Sequence, residues 1–383
     1  MAPAVHSALG SRGARVVSIA LRLPPLRTPV PTNATANRFT EGYTQVSELL
    51  PLQQRRVGQR VIAYRESGPS EGQPIVLVHG WPQTSWAWRH QLGGLAARGY
   101  RVIAPDLRGT GGSSLFEHHE DYALRHHVTD LIALLDTLNV RRATWVGHDW
   151  GAPVVWSAAR HHPERFAAGG SLSTPYDTLE RGFERISSFV RREVYPEVEF
   201  PAGQMDYYLF YGEHFAQAQR DFEADVSAFF ANVLRSDDPG QENVVWPTAT
   251  VRRRGGWFDG AAAPTIEPDR SVISDDDLKR FVDDYSRTGF FGVNALYMND
   301  EDNRAFVSEA ARERIEFPAL LVIGLQDYVN DAAYSELATP MRELCDDLDI
   351  RKVQAGHWVH QERPGEVTDA IDALARRGAA GES

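Results

Sequence analysis

Thr144-Trp145-Val146-Gly147-His148-Asp149-Trp150-Gly151-Ala152 is an apolar run that breaks into a turn between two glycines and resumes as a helical pattern. Residues 143–146 read as a short buried strand and residues 150–161 as the following helix, so Asp149 falls on the turn that joins them. The turn has the form Gly-x-nucleophile-x-Gly. A hydroxyl at its centre forms an acyl enzyme, whereas a carboxylate attacks carbon directly and forms an alkyl ester. Asp149 therefore points to substrates with an electrophilic saturated carbon. Gly-Asp-Gly clusters are also ordinary turns, so the rest of the chain has to carry the case.

Outward from this turn, short apolar stretches alternate with amphipathic ones from residue 61 onward. Strands are predicted at residues 61–65, 75–78, 102–104, 144–146, 168–171, 320–323 and 348–353. Helices are predicted at residues 128–138, with Leu131, Leu134, Leu135 and Leu138 on one face, and at residues 364–376, opened by Pro364. This alternation predicts an α/β fold, a mostly parallel sheet flanked by helices, with ligands at the carboxyl ends of the strands. Between residues 175 and 302 the rhythm breaks. That segment is helical and aromatic, with a loop of Arg, Gly, Ala and Pro at residues 252–268, and reads as an inserted cap. The expected division is an N-terminal extension over residues 1–40, a core over residues 41–174 and 303–383, and a mainly helical cap over residues 175–302.

Composition narrows the classes. Forty Lys and Arg against 52 Asp and Glu give a net charge of −12, which argues against general nucleic-acid binding. The single cysteine, Cys345, excludes an intramolecular disulfide framework and a cysteine-based metal site. Residues 1–40 hold five arginines and no acid. Their apolar stretch, residues 16–23, is interrupted by Arg22 and stopped by Pro24-Pro25, too short to span a membrane. A poorly ordered extension and a cytoplasmic location are expected, with export through that extension left open.

Further sites fall at predicted strand ends. Val76-Leu77-Val78-His79-Gly80-Trp81-Pro82 runs from a strand into a tight turn whose backbone N–H can face developing negative charge. The glycine-rich stretch from Asp106 to Ser114 lacks the lysine of a phosphate loop and the spacing of a dinucleotide fingerprint, and reads as structural. Asp327 follows the run at residues 319–323, and His357 follows the last strand in Gln354-Ala355-Gly356-His357-Trp358. The chain order nucleophile, acid, histidine is the order of the α/β-hydrolases.

With these motifs in place, the chain resembles the soluble epoxide hydrolases of the α/β-hydrolase superfamily over residues 61–374. The resemblance rests on His79-Gly80-Trp81-Pro82, Gly147-His148-Asp149-Trp150-Gly151, Asp327, Gly356-His357-Trp358 and two cap segments. Asp206-Tyr207-x-Leu209 is similar to the family's first tyrosine motif and Gly289-Phe290-Phe291-Gly292-Val293-Asn294-Ala295-Leu296-Tyr297 to its second. It implies that Tyr207 and Tyr297 hold the epoxide oxygen and that the backbone N–H groups of Trp81 and Trp150 form an oxyanion hole. It also implies a cis peptide at Trp81-Pro82. The implied reaction is hydrolysis of a small-molecule epoxide to a vicinal diol by water through an ester on Asp149, with His357, oriented by Asp327, as base and with no metal or organic cofactor. The loop at residues 252–268 is longer than the family's usual one and the N-terminal extension has no counterpart in it, so substrate size stays open. A haloalkane dehalogenase would share Asp149, Asp327 and His357 but bind its leaving halide by N–H donors; the paired tyrosines favour the epoxide. A catalytically silent binding protein on the same fold would have no need of the whole triad.

Overall fold

The computed structural model describes residues 50–380, and the expected extension at residues 1–40 lies outside the described residues. The strands are β1 (Leu52–Val57), β2 (Arg60–Ser67), β3 (Pro74–Val78), β4 (Arg101–Pro105), β5 (Ala143–His148), β6 (Phe166–Leu172), β7 (Ala319–Gly324) and β8 (Leu348–Val353). They form one sheet in the order β1-β2-β4-β3-β5-β6-β7-β8. β1 and β2 pair antiparallel, as do β2 and β4; every other pair is parallel. Each of the seven predicted strands is present. β1 has no apolar run, only Leu-Gln-Gln-Arg-Arg-Val, and exists because the ladder with β2 satisfies its backbone at the sheet edge.

The longer helices are α1 (Arg89–Ala96), α2 (Leu124–Thr137), α3 (Gly151–His161), α4 (Asp206–Glu223), α5 (Val226–Val233), α6 (Asp275–Thr288), α7 (Asp300–Glu309) and α8 (Pro364–Ala380). Residues of β5, β6 and β7 are buried along their whole length, which requires helical cover on both faces and explains their unbroken apolar character. α1 and α8 pack together against the sheet, and α2 and α3 likewise. In α2 the stripe Leu131, Leu134 and Leu135 is buried, the period-3.6 face expected of a covering helix. This is an α/β-hydrolase fold.

Between the end of β6 and the start of β7 the chain leaves the sheet and forms α4 to α7 with their loops. One continuous apolar core includes β3, β5 and β7 together with Phe222, Phe229, Phe281 and Tyr285 from this segment. α6 carries a capping box between Ser274 and Asp277. Asp277 also takes a hydrogen bond from the Trp86 indole at 2.7 Å and pairs with buried Arg89 at 2.9 Å, which binds the helical segment to the loop after β3. Among the described residues no helix is long and apolar enough to cross a membrane.

Candidate active site

Asp149 stands one residue past β5 with φ of 50°, in the left-handed region that Asp tolerates better than most residues. A Cβ on Gly147 would collide with the Gly151 backbone, and one on Gly151 with the Val78 carbonyl. The two glycines are thus what lets α3 leave the sheet at this sharp angle beside the β3 turn. That turn returns the contact: the backbone N–H of Trp81 donates to Asp149 Oδ1 at 2.7 Å. The Trp81-Pro82 peptide is cis. Trp150 sits at the cap of α3, where helix N–H groups have no intrahelical partner.

Asp327 follows β7 and His357 follows β8, so both arrive at the same edge of the sheet as Asp149. His357 Nδ1 lies 3.1 Å from Asp327 Oδ2, and its Nε2 lies 3.6 Å from Asp149 Oδ2. Burial alone would lower the His357 pKa, but the Asp327 and Asp149 carboxylates outweigh it and raise it to about 10. Asp327 moves the other way. Its burial is opposed by the His357 charge and by the Asn330 backbone N–H, which donates to Oδ1 at 3.1 Å, and the carboxyl is held below its ordinary range.

Tyr207 enters from the first turn of α4 and Tyr297 from the 3-10 turn Ala295–Met298. Their rings meet edge to face with centroids 5.9 Å apart. Both line one cavity of about 310 Å³ together with Trp81, Asp149 and His357. Burial raises both phenol pKa values. The Asp149 carboxylate raises them further, and for Tyr297 the neighbouring Tyr207 does as well. Each keeps its proton through neutral pH, as a hydrogen-bond donor must.

The structure therefore brings Asp149, His357, Tyr207, Tyr297 and Trp81 to the lining of one cavity, with Asp327 held against His357 and Trp150 edge-on to Tyr297, ring centroids 5.1 Å apart. Sequence reasoning missed the groups that hold the His357 backbone. His148 Nε2 donates to the His357 carbonyl at 2.9 Å, and Ser173 Oγ to the same oxygen at 3.3 Å. It also missed Trp257, which the loop at residues 252–268 stacks on Trp81, with centroids 5.4 Å apart, and sets edge-on to Tyr207. The glycine-rich stretch after β4 serves the fold: Asp106 accepts from the backbone N–H groups of Ser85 and Gly112 at 2.8 and 2.9 Å.

Comparison with known proteins gives these side chains a family. A family model described as alpha/beta hydrolase fold matches residues 73–364. Epoxide hydrolase A of Mycobacterium tuberculosis is 33% identical over 80% of this chain and 91% of its own. The chain belongs to the epoxide hydrolase family of the α/β-hydrolase superfamily. Other family members agree. Bifunctional epoxide hydrolase 2 of Sus scrofa is 28% identical over 89% of this chain, and the match spans 56% of that longer protein. The crystal structure of epoxide hydrolase A from Mycobacterium thermoresistibile superposes with a TM-score of 0.69 at 30% identity, covering 85% of this chain and 98% of the other.

Proposed function

We propose that the chain hydrolyses an epoxide to a vicinal diol through a covalent ester on Asp149, beneath a cap formed by residues 175–302. The observation that carries this reading is the arrangement of a carboxylate and two protonated phenols on one cavity, with a histidine behind the carboxylate. Asp149 attacks a ring carbon while Tyr207 and Tyr297 donate to the oxygen, because an unprotonated alkoxide is a poor leaving group. Attack transfers the Asp149 charge to that oxygen. The part of the phenol pKa rise that comes from Asp149 is then lost, so the phenols become better acids as the proton is needed.

Ester formation also removes one of the two charges that raise the His357 pKa. His357, still held by Asp327, can then release its proton and act as base on water, which attacks the ester carbonyl. The Trp81 N–H, already aimed at Asp149 Oδ1, and the Trp150 N–H are the proposed donors to the oxyanion. The dehalogenase alternative would need N–H donors for its halide, and Trp150, directly after the nucleophile, is compatible with it. The two phenols that line one cavity with Asp149 favour the epoxide, and the Trp81 indole N–H already donates to Asn294 Oδ1 at 2.9 Å.

The test is turnover of styrene oxide with a bromoalkane as control, for wild type and Asp149→Ala. Diol from wild type alone, with the bromoalkane untouched, is the expected result. Halide release without diol, or full diol formation by folded Asp149→Ala, would overturn the reading.

A further inference from the structure

Asp237 lies on the loop after α5, and the chemistry above makes no use of it. Its side chain is largely enclosed, yet among the described residues no hydrogen bond or ion pair engages its carboxyl group. It borders two cavities. One is the active-site cavity with Asp149 and His357. The other, of about 340 Å³, is lined by Asp238, Pro239, Gln354 and Arg363, all exposed, and by Glu362. Only Ser236 and Asp237 belong to both linings, so Asp237 stands in the wall between the buried site and the solvent side.

The wall is the turn that carries the base. Asp237 Oδ2 and Glu362 Oε1 lie 3.1 and 3.2 Å from the place a Cβ on Gly356 would occupy, one residue before His357. Glu362 is committed there, since its Oε2 accepts from the Gly356 N–H at 2.8 Å. Asp237 is not. A carboxyl group that no other described residue engages, set against the turn that carries the base and bordering both cavities, is placed to move a proton.

Resting on the reading of Asp149 and His357 given above, we propose that Asp237 is the relay that carries the proton of His357 out of the active site to solvent. The balance is met with such a route. Ring opening takes one proton from a phenol to the epoxide oxygen. His357 must then shed the proton it holds in the resting state, which passes over a cavity water to the Asp237 carboxylate and on to a base in solvent. Attack on the ester gives one water proton to His357 and the other to the departing diol oxygen, and Asp149 regains its carboxylate. The phenolate takes back one proton from solvent, equal to the one exported.

The setting of Asp237 suits the task. Burial, then the charges of Asp327, Glu362 and Asp238, raise its pKa to about 8 against the lowering effect of His357, so it can bind and release a proton near neutral pH.

The test compares wild type, Asp237→Asn, Asp237→Ser and Asp237→Glu on styrene oxide in dilute buffer, following ester formation in a single turnover and steady-state kcat. Asn and Ser should leave the rate of ester formation unchanged and lower kcat by about 10-fold. Added imidazole should restore their kcat with saturation, whereas wild type and the Glu variant should not respond. Two neutral replacements guard against one that misfolds. Undiminished kcat in Asn and Ser, or a diminished kcat that imidazole leaves unchanged, would overturn the relay alone. A wild type that forms no ester would remove the reading beneath it and the relay with it.

Discussion

His357 Nε2 lies 3.6 Å from Asp149 Oδ2, close enough for the two charges to stabilise one another and too far for a strong hydrogen bond. The gap is on the side of the ring that faces the cavity, while the other nitrogen is held by Asp327 at 3.1 Å. In the proposed two-step reaction a base in this position would serve the second step, ion-paired while Asp149 is a carboxylate and released once Asp149 is an ester.

Replacing His357, the proposed base, while keeping Asp149 should separate the two proposed steps. His357→Gln is expected to open the epoxide and then stall, so that a mass increase equal to the substrate appears on the peptide containing Asp149 and persists. An intact protein mass unchanged after incubation with a substrate that wild type consumes would contradict the covalent scheme.

The same pair sets a pH dependence of stability. The pKa of His357 is 6.5 in the unfolded chain and about 10 in the folded one, so the folded state binds the proton more tightly. Its contribution is fully present below pH 6.5 and is lost as pH rises through about 10. Asp327 is depressed instead, and its contribution is lost only as pH falls below the ordinary carboxylate range. The Tm difference between wild type and His357→Gln should therefore shrink between about pH 6 and about pH 10. A difference that stays constant across that window would show that the ion pair is not its source.

How much of this was legible in sequence depended on whether the cause was local. The runs in β3, β5 and β7 are apolar throughout because both faces are covered, and the turn at Asp149 leaves a signature because its close approach to Val78 and its left-handed φ admit few residues. β1 is polar and depends on a partner strand. Ser173 and Trp257 matter through groups far away in the chain, and nothing in their own neighbourhood marks them; His148 stands in the nucleophile motif, but its bond to the His357 carbonyl lies 209 residues away and cannot be read there. Asn330 could have been found, since an Asp followed three residues later by an Asn that caps it is a local pattern.

Attachment of the helical segment to the core predicts a stability effect remote from the chemistry. Arg89 and Asp277 are both nearly inaccessible, and Asp277 also receives the Trp86 indole and the Ser274 hydroxyl, each at 2.7 Å. Asp277→Ala leaves the guanidinium buried without its counter-ion and should cost about 3–5 kcal/mol. Urea unfolding would measure it as a lower midpoint. A loss below about 1 kcal/mol, the range of an exposed pair, would mean that the pair does not latch the segment to the core.

The two phenols discriminate most strongly between the proposed reaction and its rival. Tyr207 and Tyr297 share a cavity with Asp149, feel its charge, and are held protonated by burial, so either can donate to the ring oxygen when the other is lost. Changing one to Phe should slow ring opening by about 10- to 100-fold, and changing both should nearly abolish it. Hydrolysis of an ester already formed should change much less, because the alkoxide has by then received its proton. Single-turnover experiments that resolve ester formation from ester breakdown would check this split. Wild-type ring opening in the Tyr207→Phe, Tyr297→Phe double variant would show that the oxygen needs no phenol. It would leave Asp149, His357 and Asp327 serving a leaving group that departs without a proton, as a halide does.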